Sequence, residues 1–136
     1  MEQCIFCKIA SGEIPVALLL DTDEVVSFLD INPVNPGHAL VVPKRHAGGL
    51  LDLTEREVAA AASVVQKVAA AVKAATGSPA FNVLQNDGRA AGQLIEHVHF
   101  HVIPRSPDDG FALGWRHGSY GEGELDEMVE RIRREL

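Results

Sequence analysis

The chain has 136 residues, 46% of them apolar, which suits one domain with a real core. Twelve Lys and Arg stand against 19 Asp and Glu, a formal charge of -7. That balance argues against an extended face for nucleic acid or anionic membrane, although a few local donors can still hold one phosphate ligand.

No apolar run reads as approaching the roughly 20 residues that cross a bilayer. The start Met1-Glu2-Gln3-Cys4 lacks a basic region and a long apolar stretch, so it does not read as a secretory signal. The expected location is cytoplasmic.

Short strands are expected at 16–20 and 24–29, joined by a turn at Asp21-Thr22-Asp23. Asn32-Pro33-Val34-Asn35-Pro36-Gly37 is a loop, and 39–43 a third strand, which His38 begins in a structural role. Thr54-x-x-Glu57 is a capping box. It opens a long helix whose apolar face is Val58, Ala61, Ala62, Val65, Val68, Ala69 and Val72, and Gly77 ends it. Its small residues suit close packing on a sheet. Ala80–Leu84 and His97–Ile103 complete five strands, with the polar loop Gln85–Gln93 between them. The tail 124–136 is an amphipathic helix with Leu125, Met128, Val129 and Ile132 inward. The expected fold is α+β: an antiparallel sheet of about five strands, one long helix and a C-terminal helix. One domain spans 1–136, with its core at about 4–105 and an extension at 106–136.

The chemistry concentrates in His97-Val98-His99-Phe100-His101-Val102-Ile103. Strand period two puts the three imidazoles on one face and the apolar residues on the other. Three readings compete: a solvated polar face, a zinc site, and nucleophilic or acid–base catalysis by imidazole. The preceding loop, Asn86-Asp87-Gly88-Arg89-Ala90-Ala91-Gly92-Gln93, favours the last. Its glycines let backbone N–H groups approach an anionic oxygen, and Gln93 adds a side-chain donor.

Asn86…Gly92-Gln93…His97-x-His99-x-His101 followed by two apolar residues resembles the signature of the histidine-triad (HIT) family. Upstream, Cys4-Ile5-Phe6-Cys7-Lys8-Ile9, Glu13-Ile14-Pro15, Phe28-Leu29-Asp30-Ile31-Asn32-Pro33 and Pro36–His46 look like its Hint branch, in the bacterial style. The resemblance covers roughly residues 4 to 105. It implies that His99 attacks the α-phosphorus and carries the nucleotidyl group, and that His101 contacts the phosphate. It implies that Asn86 and Gly92 orient the site, that Asp30 accepts the ribose hydroxyls, and that Ile5, Phe6, Ile9, Phe28 and Ile31 surround the base. One departure stands out: the branch usually carries Ser or Thr after Gly-Gln, and here the residue is Leu94. A hydroxyl near the phosphate or leaving group is therefore missing.

The residues support this chemistry on their own. Neutral imidazole is a competent nucleophile at pH 7, and attack on phosphorus splits one hard hydrolysis into two easier steps. His101, the loop N–H groups and Gln93 are the expected donors to the phosphoryl oxygens. No carboxylate cluster in the sequence requires Mg²⁺. Cys4 and Cys7 form one Cys-x-x-Cys, which in a reducing compartment points to metal or redox chemistry before a disulfide. By resemblance to the bacterial proteins, His46 and His97 complete a structural zinc site, and His97 would then not relay protons freely. His117 reads as a surface-loop residue, and Trp115 is expected at a subunit boundary. The family is dimeric, so a homodimer is expected by analogy.

The expected substrate is a purine nucleotide, either a nucleoside phosphoramidate or an aminoacyl adenylate, with adenosine or guanosine as the nucleoside. The rival readings are a dinucleoside polyphosphate hydrolase of Fhit type and a non-catalytic nucleotide- or zinc-binding partner protein, the latter kept open by Leu94.

Overall fold

The computed structural model describes residues 3–136; the start at Met1 and Glu2, used above for targeting, lies outside the described residues. Five strands form one sheet: β1 (Leu18–Asp21), β2 (Val25–Leu29), β3 (Ala39–Pro43), β4 (Ala80–Leu84) and β5 (Phe100–Arg105). Three helices accompany them: α1 (Ile5–Ala10), α2 (Glu55–Thr76) and α3 (Glu124–Arg133). Short 3₁₀ turns occupy Leu50–Asp52 and Arg89–Ala91. The sheet order is β1-β2-β3-β5-β4 and every neighbouring pair is antiparallel.

β2 and β3 read as continuous apolar runs because both faces of the sheet are covered. Val25, Val41 and Val102 face α2, against Val64, Val68, Ala69 and Val72. Val26, Leu40 and Val42 face the other way, against Phe6 and Ile9 of α1. Period-two alternation thus feeds two cores from one strand. Each buried valine contributes about 1.5–3 kcal/mol relative to exposure. α1 was not legible as a helix: six residues are too short for a helical period to declare itself.

α2 begins as its capping box requires. The Glu57 amide donates to Thr54 Oγ1 at 3.2 Å, and the Thr54 amide to Glu57 Oε2 at 2.9 Å. A cap of this kind contributes about 1 kcal/mol. Gly77 ends the helix in the left-handed conformation. At 22 residues α2 is long and apolar enough, by length and composition alone, to cross a bilayer, which corrects the expectation that no stretch comes near that length. Here one face packs on the sheet. Ala62, expected on that face, is exposed, and Val64 takes its place.

Three further expectations change. β1 begins at Leu18 and carries an irregularity between Leu18 and Leu20 in its pairing with β2. β5 begins at Phe100, not His97: the Val98 amide donates to the Ala47 carbonyl at 2.8 Å, so 97–99 runs alongside the loop after β3 rather than in the ladder. Side chains still alternate there, with Val98 and Val102 fully buried. The apolar side of α3 does not turn inward, since Leu125 and Ile132 are 53% and 54% exposed. An amphipathic pattern reports a face, not what lies against it.

Gly37, just before β3, has φ of +99°. A β-carbon there would stand 2.7 Å from Thr76 Cγ2 at the end of α2. Backbone and packing therefore both require glycine beside His38.

Candidate functional site

His97, His99 and His101 line up under α1. The Phe6 ring packs T-shaped with His97 and His99 at centroid distances of 5.8 and 5.0 Å, and His99 lies 5.0 Å from His101. The hydrogen bonds assign each tautomer. His99 Nδ1 is 2.7 Å from the His97 carbonyl, so Nδ1 carries the proton and the Nε2 lone pair is free. His97 Nε2 is 2.7 Å from the Pro43 carbonyl, so its Nδ1 is the unprotonated nitrogen.

His101 is assigned through a neighbour. The Val34 amide donates to His38 Nδ1 at 3.0 Å, which puts the His38 proton on Nε2. That proton is donated to His101 Nδ1 at 2.9 Å, leaving His101 with Nε2–H as its own donor. His38 was expected to be structural; it is also hydrogen-bonded to the last histidine of the triad. The signal was present in the sequence: Leu40 pairs with His101, and His38, two residues earlier, is the diagonal neighbour on the same face.

Burial favours the neutral form of His38, His97 and His101. It pushes His101 down to about 4, helped by the His99 and His38 charges and opposed by Asp30. Burial also lowers His97 and His38. Asp30, His38 and His101 stand close enough to hold a metal. However, a metal on His38 Nε2 would force a proton onto Nδ1, facing the Val34 N–H. The cluster is a proton-ordered chain.

Cys4, Cys7, His46 and His97 converge on one point. Cys4 Sγ is 3.3 Å from His97 Nδ1, Cys7 Sγ is 3.6 Å from the same nitrogen, and Cys7 Sγ is 3.4 Å from His46 Nδ1. Tetrahedral zinc with Zn–S and Zn–N bonds of about 2.3 and 2.0 Å needs sulfur–nitrogen edges of about 3.5 Å. The unprotonated His97 Nδ1 faces the thiols, and the Pro43 carbonyl fixes it from behind, as a ligating imidazole requires. The four residues fit zinc. Desolvation, with Cys4 adjacent, raises the Cys7 thiol.

The expected nucleoside wall is partly core. Phe6, Ile9 and Phe28 are buried together, with Phe6 and Phe28 edge to face at 5.8 Å. Ile5 is exposed, and Ile31 is 88% exposed. Asp30 follows β2. Its Oδ1 accepts the Asn32 amide at 2.8 Å, and its Oδ2 lies 3.8 Å from His38 Nε2.

The loop 85–93 differs from the expected cradle. The amides of Gly88, Ala91, Gly92 and Gln93 are all bonded within the loop. Gln93 Nε2 donates to the carbonyls of Gly48 and Ile95 at 2.8 and 3.0 Å, so its side chain braces the loop and is not a free donor. Among the described residues the Asn86 side chain makes no hydrogen bond, and its Nδ2 is 3.5 Å from the β-carbon position of Gly92. Among the described residues Asn86 Nδ2 and His101 Nε2 are left without a hydrogen-bond partner and are donors available to a ligand. Leu94 is 93% exposed, and Trp115 and His117 are also exposed, in the C-terminal extension.

The HIT domain family profile matches residues 11–108. The chain is 42% identical over 130 residues to the adenosine 5'-monophosphoramidase hnt1 of Schizosaccharomyces pombe, covering 95% of each. It superimposes on a crystal structure of a HIT family protein from Bacillus anthracis with a TM-score of 0.93 and 37% identity, covering 99% of this chain and 98% of that one. A zinc-bound histidine triad family protein from Mycobacterium smegmatis is similar at a TM-score of 0.76 and 32% identity, with 99% of each chain covered.

Proposed function

The chain belongs to the HIT domain family, and from that premise we propose that it is a hydrolase that cleaves a purine nucleoside monophosphate from its leaving group through a nucleotidyl-His99 intermediate. One observation carries this reading: the His97 carbonyl holds the His99 Nδ1 proton and leaves Nε2 as a free, oriented lone pair. In the first step Nε2 attacks the α-phosphorus and the bond to the leaving group breaks, with the electron pair departing on that group, which takes up a proton from water. The adduct is a cationic imidazole whose Nδ1–H still faces the carbonyl, which stabilises the charge. Water then attacks phosphorus and gives up one proton to solvent, the N–P bond breaks with its electron pair returning to Nε2, and neutral His99 is restored as the nucleoside monophosphate leaves. His101 Nε2–H and Asn86 Nδ2 are the donors to the phosphoryl oxygens. Asp30 takes the ribose hydroxyls, and Ile5, Ile31 and the Phe6 edge take the base. The S. pombe relative's name supports adenosine phosphoramidates as the substrate class.

Zinc at Cys4, Cys7, His46 and His97 is structural in this reading. When bound it ties α1 to the loop after β3 and to the triad segment. A homodimer is supported by β4, a sheet edge on which Phe81 and Val83 are exposed.

The test is steady-state turnover of an adenosine phosphoramidate against diadenosine tetraphosphate, with mass spectrometry after rapid quench. Preferred hydrolysis of the first, with a nucleotidyl adduct on His99, is expected. Preference for the second would move the protein to the Fhit type. Binding of the nucleoside monophosphate without any turnover would make it a non-catalytic nucleotide binder.

A further inference from the structure

The side chain next to Asn86 in the chain is held in an unusual way. Asp87 Oδ2 accepts the amide proton of Leu50 at 2.6 Å, at the start of the first 3₁₀ turn. A β-carbon on Gly49 would stand 2.7 Å from Asp87 Oδ1 and closer still to Oδ2. Gly49 has φ of -144° and ψ of -178°, extended backbone that any residue adopts. Glycine is needed there because the carboxylate occupies the space. The Gly49 amide in turn donates to Asp52 Oδ2 at 3.1 Å, which holds the socket from its other side.

A second tie lies at the far end of the same loop. Gln93 Nε2 donates to the Gly48 carbonyl at 2.8 Å, and Gln93 Oε1 accepts the Gly88 amide at 2.8 Å. Both ends of 87–93 are thus fastened to consecutive residues, 48 to 50. The amides of Gly88, Ala91, Gly92 and Gln93 are bonded inside the loop, and the Asn86 side chain has no bond of its own, so the position of Asn86 depends on these ties. We propose that Asp87, seated in the socket that Gly49 leaves open, is a positioning residue that holds Asn86 for the phosphate. This rests on the proposed function for the identity of the ligand, but not for the tie itself.

Calorimetry with adenosine and with adenosine monophosphate separates the two. Asp87→Ala should weaken the monophosphate roughly tenfold and lower kcat by a similar factor, the size expected when a hydrogen bond to a charged group is lost. Adenosine affinity should stay within about twofold, because the base and ribose contacts lie elsewhere. Gly49→Ala should reproduce the loss by expelling the carboxylate. The double variant should be no worse than the worse single, because the carboxylate that a β-carbon at 49 displaces is already gone. Asp87→Asn should retain function within about threefold, since its Oδ1 can still accept from Leu50, and it serves if Asp87→Ala does not fold. Equal losses for both ligands, additive losses in the double variant, or no loss in either single variant would overturn the proposal. Hydrogen exchange at the Leu50 amide must speed up in Asp87→Ala; unchanged protection removes the tie whatever the activity. If the wild type neither turns over a phosphoramidate nor favours the monophosphate over adenosine, the functional reading fails, and exchange at Leu50 alone still decides the anchor.

Discussion

His38 Nε2 stands 2.9 Å from His101 Nδ1, and this contact decides which nitrogen of His101 carries a proton. The direction is set by the Val34 amide, which can only donate. His38→Ala should release His101 to either tautomer and ring position. Turnover should fall by about tenfold to a hundredfold, as when the group orienting a functional imidazole is removed. Rapid-quench experiments should show slower formation of the adduct rather than its absence; an unchanged rate of formation would detach His38 from the reaction.

His99→Ala should abolish turnover while nucleotide binding stays within about tenfold, because binding rests on the base wall and Asp30. More than a few per cent of residual rate would mean that another group is the nucleophile.

Asp30→Ala should weaken ribonucleotides but barely affect 2′,3′-dideoxy analogues. The local turn through Asn32 is lost for both ligands, so the difference between them isolates the ribose contact. A carboxylate accepting two hydroxyl protons is charge-assisted and contributes about 1.5–3 kcal/mol per bond when shielded. Equal losses in a titration would assign Asp30 to the turn alone.

Acid should destabilise the fold through the buried imidazoles. His101 titrates at about 4 in the folded chain, and histidine in an unfolded chain at about 6.5. Between those values the unfolded chain holds a proton that the folded one refuses, so stability is complete above about 6.5 and is lost as the pH falls toward 4. Burial moves His38 and His97 in the same direction. Denaturant midpoints measured across this range in excess chelator, to keep zinc loss out of the comparison, should fall less steeply for His101→Asn than for wild type. Identical slopes would contradict the assignment.

Purified protein should carry about one zinc per chain by elemental analysis. Cys4→Ser with Cys7→Ser should lose it and lower the melting temperature more than it slows the chemical step, since His99 and His101 are not ligands. Zinc retained by that double variant would place the metal elsewhere.

Much of this was legible in the sequence because it rests on local rules. Thr54, Glu57 and Gly77 bound α2 through capping chemistry alone. The alternation through Val98, Phe100 and Val102 placed the three histidines opposite the α2 core even though the ladder begins only at Phe100. The Cys-x-x-Cys spacing, with the two histidines implied by the family, anticipated a cluster that requires α1, the loop after β3 and the triad segment to meet. What was not legible depends on partners distant in the chain. Gln93 looks like a free donor until the Gly48 carbonyl is beside it. His38 looks structural until β3 and β5 pair. The apolar side of α3 gives no sign of what lies against it.

Gly37 carries the last consequence. It is locked by its positive φ and again by Thr76 Cγ2, and these constraints are independent. Trimming Thr76 would clear the space without easing the backbone, so no single compensating change makes another residue acceptable. The neighbouring His38 is therefore held in place by a position from which mutational drift has no one-step exit. Two generations of random mutagenesis selected for activity should leave Gly37 unsubstituted while Thr76 varies freely among small residues.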